Sequence, residues 1–431
     1  MKQPSFKFQS PTGMKDILPE EQVYFDAIEE VARKYASFYS FLRIDTPILE
    51  DYQLFAKGTG EATDIVEKQM YVLKTKGDEI LALRPEFTPS LARSYFENGM
   101  IAWPHPVKLY TMGPVFRYEK PQAGRYRQFH QLNFETFGSK RPITDIEVIW
   151  LFYNILKDLK IKDLAVQINS IGDSQCRPYY KKVLVRYLKS QERNLCPTCK
   201  KRLKTNPLRV LDCKEEKCQK VISEAPQILD HLCDECKDHF KRVLEYLDDL
   251  EIPYILNPYL VRGLDYYTKT VFEIVSQSGP DGRQNALVGG GRYDDLLKLI
   301  GKKDIPACGG AMGVERVIAL MKESGFKIQQ ATPQIFIAQL GDKAKTQTLK
   351  LMEDLRKMNI LTESQLSKDS LTNQLKIANK LNVKFAVIIG EEEVLSKSVI
   401  IRDMSNGTQI SASFDKAAEK IKQKIKGQKK S

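Results

Sequence analysis

The stretch VKLYTMGPVFRYEKPQAGRYRQFHQLNFETF, Val107 to Phe137, decides the fold. Both of its ends alternate with period two, the spacing of half-buried strands, and Pro121 to Gly124 between them has the composition of a turn. The pattern predicts an antiparallel hairpin with arms Val107 to Val115 and Phe129 to Phe137 and a long loop. Alternation sets Arg117 and Glu119 on one face of the first arm, and Phe129, Gln131, Asn133 and Glu135 on one face of the second. A sheet face with so many polar groups beside an aromatic ring reads as the lining of a cleft.

Outward from the hairpin the texture changes several times. Val23, Ala27, Ile28, Val31, Tyr35 and Phe38 recur at helical spacing after Pro19, which predicts an amphipathic helix, and a short strand runs toward Pro47. Residues 171–250 are lysine-rich, hold seven of the eight cysteines and show helical periodicity at Tyr179 to Leu188 and Phe240 to Leu250. They read as a small, mostly helical insertion. Strand patterns resume at Tyr254 to Leu256 and Lys269 to Ser276, followed by a glycine cluster and a helix from Gly313 to Lys322. Past Pro333, strand Gln334 to Gln339, helices Ala344 to Met358 and Leu371 to Leu381, strand Phe385 to Ile389 and a lysine-rich final helix form a separate α/β domain. The expected division is a core over 1–325 with 171–250 inserted, a linker at 326–332, and a last domain over 333–431.

At about 150 residues per domain, 431 residues allow roughly three domains, and 42% apolar content supplies their cores. No apolar run approaches the roughly 18 residues of a membrane span, and Met1 to Ser10 lacks the apolar stretch of an export signal. A cytoplasmic location is expected. The net charge of +12 favours a polyanionic partner. The excess is concentrated: Cys176 to Arg209 holds eleven basic residues against Glu192 alone, and Asp415 to Ser431 holds seven lysines against two acids. Two separated basic regions point to a long ligand.

Four constellations carry chemistry. Phe116 to Glu119 with Arg125 to Gln131 offers forked guanidinium donors for phosphate oxygens and, in Phe129, a stacking face for a base. Gly309-Gly310-Ala311-Met312-Gly313 leads into a helix with Arg316 in its first turn, where the helix dipole favours an anion. Leu260 to Tyr267 together with Gly289 to Asp294 brings Arg262 and three tyrosines. Arg84 to Thr88 adds Glu86 and Thr88, a carboxylate and a hydroxyl suited to an ammonium group. Singly, each reads equally well as a solvated loop or tight packing.

Together these segments resemble the bacterial-type histidyl-tRNA synthetases, class II aminoacyl-tRNA synthetases, from Gly13 through the last domain. Phe41 to Glu50, with Pro47, resembles the first class II motif, a dimer-interface element; Phe116 to Glu135 resembles the second and Gly309 to Leu320 the third. Leu260 to Tyr267 and Ala286 to Tyr293 resemble the two histidine-specific signatures. The resemblance implies a catalytic domain on an antiparallel sheet, a homodimer, and a C-terminal anticodon-binding domain. It implies activation of histidine by ATP with Mg²⁺, then transfer to the 3′ end of tRNA(His). Arg117 would contact the ATP α-phosphate and the reacting carboxylate, Glu119 the adenine amino group, Phe129 the adenine ring, and Arg316, helped by Arg125, the γ-phosphate. Glu86, Thr88 and Gln131 would take the α-amino group; Glu135 and Tyr267 the imidazole nitrogens, with Tyr266 beside them and Tyr293 closing the pocket. Arg262 matches the family's catalytic arginine. Phe87 departs from the pattern, standing where many relatives have glycine, either to narrow the pocket or to pack behind it. The basic stretch Arg177 to Arg209 would face the tRNA acceptor arm. A regulatory paralogue without charging activity usually lacks the signature arginine and the last domain, and both are present here.

Without an export signal the cysteines suggest metal before disulfides. Cys196-Pro-Thr-Cys199, Cys213, Cys218 and Cys233-Asp-Glu-Cys236 place six thiols in a short span with two CxxC pairs, which predicts one structural Zn²⁺ held by four of the six. Spacing leaves open which four. Cys176 and Cys308 are expected to be isolated core residues.

Overall fold

The computed structural model describes residues 8–60, 63–120, 126–277, 286–326, 328, 332–367 and 369–428. The chain divides into two compact units, 1–328 and 329–431.

In the first unit the hairpin, Val107–Phe116 and Gln128–Phe137, sits in an eight-stranded sheet. Across the sheet the order is Leu42–Arg43, Val107–Phe116, Gln128–Phe137, Ala307–Gly313, Ala286–Arg292, Thr268–Ser276, Leu164–Ser170 and Tyr254–Leu256. The six inner strands are antiparallel, and the two short edge strands pair in parallel with their neighbours. Helices Pro19–Phe38, Pro142–Asp158, Asp234–Asp249 and Val314–Glu323 cover one face. The first buries Phe25, Ile28, Ala32 and Ala36 at spacings of three and four, with Pro19 opening it where a missing N–H costs nothing. Leu132, Phe134, Ile274 and Met312 from the sheet meet Ile149, Phe152, Val243 and Val317 from the helices in one core, each such side chain contributing about 1.5–3 kcal/mol.

A second core on the opposite side joins Leu91 and Tyr95 of helix Thr88–Glu97, Val115 and Val271 of the sheet, and Leu184 and Leu188 of helix Arg177–Ser190. The helical region after residue 171 thus shares its apolar interior with the sheet, and helix Asp234–Asp249 belongs to the first core through Phe240, Val243 and Leu247. A small three-stranded sheet, Leu49–Asp51, Ile80–Leu83 and Tyr71–Lys74, lies in the same unit.

The first arm of the hairpin departs from expectation. Its regular part ends at Phe116; the Arg117 amide still donates to the Arg127 carbonyl at 2.9 Å, but the Glu119 amide bonds back to the Arg117 carbonyl at 2.8 Å, so the chain turns there and strand alternation no longer governs Glu119.

The second unit is a five-stranded sheet in the order Thr362–Ser364, Ile335–Gln339, Phe385–Ile389, Ser398–Asp403 and Gln409–Ser413. Helices Asp342–Lys357 and Phe414–Gln428 share a core with it through Leu351, Leu355 and Ile421. The last two strands, which the sequence pattern did not reveal, are antiparallel additions to a parallel trio.

Candidate active site

The open face of the large sheet holds a cavity of about 360 Å³. Glu86, Thr88, Arg117, Glu119, Phe129, Gln131, Arg262, Tyr266, Tyr267 and Arg316 all line it, gathered from segments far apart in the chain. Arg125 lies outside the described residues.

Register explains how the sheet carries these groups. Glu135, Gly309 and Gly291 are neighbours in one row across three strands, and Asn133, Ala311, Gly289 and Glu273 form the next row. A Cβ on Gly309 would overlap the Glu135 carboxylate, and one on Gly289 would overlap the Arg262 guanidinium. These two glycines therefore make room for protein side chains that lie flat across the strands. Arg262 is paired with Glu273, the partner of Gly289 on the neighbouring strand, and its guanidinium lies 5.9 Å from the Tyr267 ring centre. Burial works most strongly against the charge on Arg262, but Glu273, Tyr267 and Tyr266 together outweigh it and hold the pKa above the ordinary arginine value.

The cationic end is built by Arg117, Arg262 and Arg316. Arg117 Nε donates to the Pro85 carbonyl at 2.9 Å, and its guanidinium sits 5.4 Å from the Phe129 ring centre. Burial lowers its pKa, opposed by Glu86 and Glu119. Arg316 Nη1 donates to the Ala286 carbonyl at 2.8 Å. Beside it, both carboxylate oxygens of Glu315 accept the His130 amide at 2.9 Å, tying the second motif's strand to the third motif's helix.

The other end is carboxylate and phenol. Glu86 accepts from Thr59 Oγ1 at 2.8 Å and from the Tyr266 hydroxyl at 2.7 Å, and burial raises its pKa. Gln131 is 9% exposed, and its Oε1 has no hydrogen-bond partner among the described residues. An unpaired buried acceptor on a cavity wall marks a place for a ligand donor. Tyr266 packs against Tyr267 with ring centres 4.7 Å apart and against Tyr293 at 5.5 Å.

Glu135 and Tyr293 stand one layer behind the wall. Glu135 is fully buried and accepts from Thr88 Oγ1 at 2.7 Å, Asn133 Nδ2 at 3.3 Å and the Tyr293 hydroxyl. Desolvation pushes its carboxyl up to about 7 against those three donors. Tyr293 therefore braces Glu135 and does not close the cavity, because its hydroxyl is committed to the carboxylate. Phe87 packs behind the wall too, under the Arg84 guanidinium at 4.2 Å, and does not narrow the cavity.

Sequence reasoning missed several wall or support residues. Tyr126, Asp212, Glu273 and Glu315 also line the cavity. Arg292, quoted only as part of a signature, is wholly buried: it pairs with Asp145 at 2.7 Å, and Asp145 also accepts from Thr270 Oγ1 at 2.9 Å and contacts His239 Nε2 at 2.6 Å. Three basic residues of the Cys176 to Arg209 stretch are committed internally. Arg202 and Arg209 clasp Asp64 at 2.6 and 2.8 Å, and Arg177 donates to the Tyr267 carbonyl at 2.6 Å.

The thiols form two groups where one had been expected. Cys196, Cys199, Cys213 and Cys218 are buried with their sulfurs within 4.8 Å of one another, and Cys196 and Cys213 are 3.9 Å apart. Tetrahedral Zn–S bonds of about 2.3 Å put sulfurs about 3.8 Å apart, so this set fits zinc. Cys233 and Cys236 instead join Asp173 and Cys176. Cys176 is thus not an isolated core residue, since the turn at Gly172 carries it to the start of helix Asp234–Asp249; Cys308 is a buried core residue.

Three arginines lining one cavity on an antiparallel sheet, together with carboxylates and phenols, suit the joining of an amino acid to a nucleotide, the opening chemistry of class II aminoacyl-tRNA synthetases. The family model described as histidyl-tRNA synthetase matches residues 13–317, and that of the anticodon binding domain matches 334–424. The histidine–tRNA ligase of Caldanaerobacter subterraneus subsp. tengcongensis is 44% identical over 96% of this chain and 99% of its own length. That of Caldicellulosiruptor saccharolyticus is 44% identical over 97% and 100%. The crystal structure of apo S. aureus histidyl-tRNA synthetase superposes with a TM-score of 0.79 at 35% identity, covering 96% of this chain and 99% of that one. The chain belongs to the histidyl-tRNA synthetase family. Its function is that of a histidine–tRNA ligase, with histidine, ATP and tRNA as substrates.

Proposed function

We propose that ATP lies with its α-phosphate at Arg117 and Arg262, its γ end at Arg316 and Arg125, its adenine ring on Phe129 and its amino group at Glu119. A histidine carboxylate oxygen bonds the α-phosphorus as the bond to pyrophosphate breaks. Charge grows on the nonbridging oxygens, and fixed guanidinium groups there stabilise the transition state more than the ground state. The observation that carries this reading is the convergence of Arg117, Arg262 and Arg316 on one cavity. Glu86, Thr88 and Gln131 hold the α-amino group. Tyr267 meets one imidazole nitrogen. Glu135 accepts from the other, with Tyr266 packed alongside. A side chain without those nitrogens leaves buried groups unpaired, which supports rejection on the order of 10⁴-fold without an editing site.

In the second step the terminal ribose hydroxyl of tRNA attacks the activated carbonyl and AMP leaves, a matter of positioning. Mg²⁺ neutralises the triphosphate when bound, and Glu315 beside Arg316 is an oxygen donor suited to it. The Cys196, Cys199, Cys213 and Cys218 set holds a structural Zn²⁺. Exposed Lys182, Arg186, Lys189, Arg193, Lys201 and Lys204 face the acceptor arm, and the 333–431 domain meets the anticodon. Exposed Leu42, Ile48 and Leu49 in the first motif support a homodimer through that surface. The enzyme works in the cytoplasm, in keeping with cysteines that form no disulfide.

Histidine-dependent ATP–pyrophosphate exchange, followed by charging of tRNA, tests the assignment. Arg262→His should lower the exchange on the order of 10²–10³-fold. Near wild-type exchange would remove Arg262 from the chemistry.

A further inference from the structure

The second thiol group carries more than packing. We propose that Asp173, Cys176, Cys233 and Cys236 form a second tetrahedral zinc site, which fastens the entry of the insertion to its exit.

The distances fit. Bonds of about 2.3 Å to sulfur and about 2.0 Å to oxygen at tetrahedral angles require about 3.8 Å between sulfurs and about 3.5 Å between sulfur and oxygen. Cys176 Sγ and Cys236 Sγ are 3.9 Å apart, and Asp173 Oδ1 lies 3.6 Å from Cys176 Sγ and 3.9 Å from Cys233 Sγ. All four ligand atoms lie within 4.8 Å of one another. The local backbone has the shape a metal knuckle needs. Asp173-x-x-Cys176 and Cys233-x-x-Cys236 have the same spacing, and Cys176 and Cys233 are the residues immediately before helices Arg177–Ser190 and Asp234–Asp249. The positive ends of those helices favour thiolates. The Asp173 amide points at Cys176 Sγ at 3.4 Å. Gly172 has a φ of +63°, and a Cβ there would lie 2.5 Å from Cys176 Sγ, so the turn both needs glycine and leaves space only for the sulfur.

A Cys176–Cys236 disulfide would leave Asp173 and Cys233 without a role. Ordinary core thiols do not gather round a carboxylate, and the ammonium of Lys269 bonds Glu235 at 2.6 Å. Zinc binding releases the three thiol protons to solvent and leaves a net charge of about −2 on the cluster, next to Arg177 and Lys269. Cys176 and Cys236 are 60 positions apart in the chain, so one ion closes a long loop. Arg177, the residue after Cys176, donates to the Tyr267 carbonyl, so the clasp also steadies the tyrosine wall of the cleft.

Metal analysis of the full chain, purified under reducing conditions, tests this independently of the first zinc set. Cys176→Ser with Cys236→Ser should lower bound zinc from about two per chain to about one, and Cys199→Ser with Cys213→Ser should remove the other. A Cys176/Cys236 variant that keeps all the zinc of the wild type overturns the second site, whatever the first one does. Should that variant fail to fold, alkylation of the wild type decides. Cys233, only half-buried, should resist iodoacetamide in zinc-saturated protein and become reactive when a chelator is added. Full reactivity of Cys233 in zinc-saturated protein, or a disulfide between Cys176 and Cys236 in freshly purified protein, overturns the site.

Discussion

In the cleft, polar side chains are held by strand register. Glu135 lies across Gly309, Arg262 across Gly289, and behind them Arg292 and Asp145 are wholly buried as a pair. In the insertion, the helices Pro197–Thr205 and Glu216–Ile222 are nine and seven residues long, too short to persist alone in water, and they contribute Cys199 and Cys218 to one thiol cluster. The sheet under the first region is ordered by its hydrogen-bond ladder, whereas the second region is held by apolar side chains shared with the sheet and by its clustered thiols.

The largest expected effect comes from breaking the cleft's foundation. Asp145→Ala strands the buried Arg292 charge and should cost about 3–5 kcal/mol in chemical denaturation of the first unit; a change below about 1 kcal/mol would mean the pair is not a support. Next is the titration of Glu135. Its folded pKa of about 7 lies above the ordinary 4.5, so its stabilising contribution is complete below about 4.5 and is lost as pH rises through about 7. Urea unfolding of wild type against Glu135→Gln should show the wild type losing about 2.5 kcal/mol relative to the variant between about pH 5 and pH 8. Parallel pH profiles would place the carboxyl's titration elsewhere. Gly289→Ala should cost about 1–3 kcal/mol through overlap with Arg262 and reduce pyrophosphate exchange along with it; unaltered exchange would show that the guanidinium has another resting place. The smallest effect belongs to the insertion's surface. Lys182→Ala with Arg186→Ala should weaken tRNA binding and flatten its dependence on log salt by about 1 per lost phosphate contact, with histidine-dependent exchange unchanged. An unchanged salt slope would move the tRNA off this face.

Much of both regions is legible in the sequence. The hairpin arms, the Pro19–Phe38 helix and the last domain's first strand stand out because their apolar spacing is regular. Strands Ser398–Asp403 and Gln409–Ser413 do not: the first offers only Val399 to Ile401 as an apolar run, and the second buries Ala412 alone among Gln409, Ser411 and Ser413. In the cleft, residue type alone marks Arg117, Phe129, Arg262 and Arg316 as candidates. The partners that hold them are invisible at that level: Glu273 faces Gly289 only through strand pairing, and Glu315 reaches His130 only after the helix is packed. The cysteine spacing suggests a metal site and leaves open which four thiols form it; Cys196, Cys199, Cys213 and Cys218 are four of the six, and what spacing hides is the second group. Asp173 and Cys176 lie 60 residues from Cys233 and Cys236, and only the fold brings them together.

Glu135, Gly309 and Gly291 stand side by side in one row of the sheet, so a slip of a single position between these strands would turn Phe134 and Leu132 toward the substrates and bury the acids among helices. Insertions and deletions can therefore accumulate in the connecting loops of this chain but not inside those three strands, and a misaligned chain would fail to fold before it could misread its amino acid.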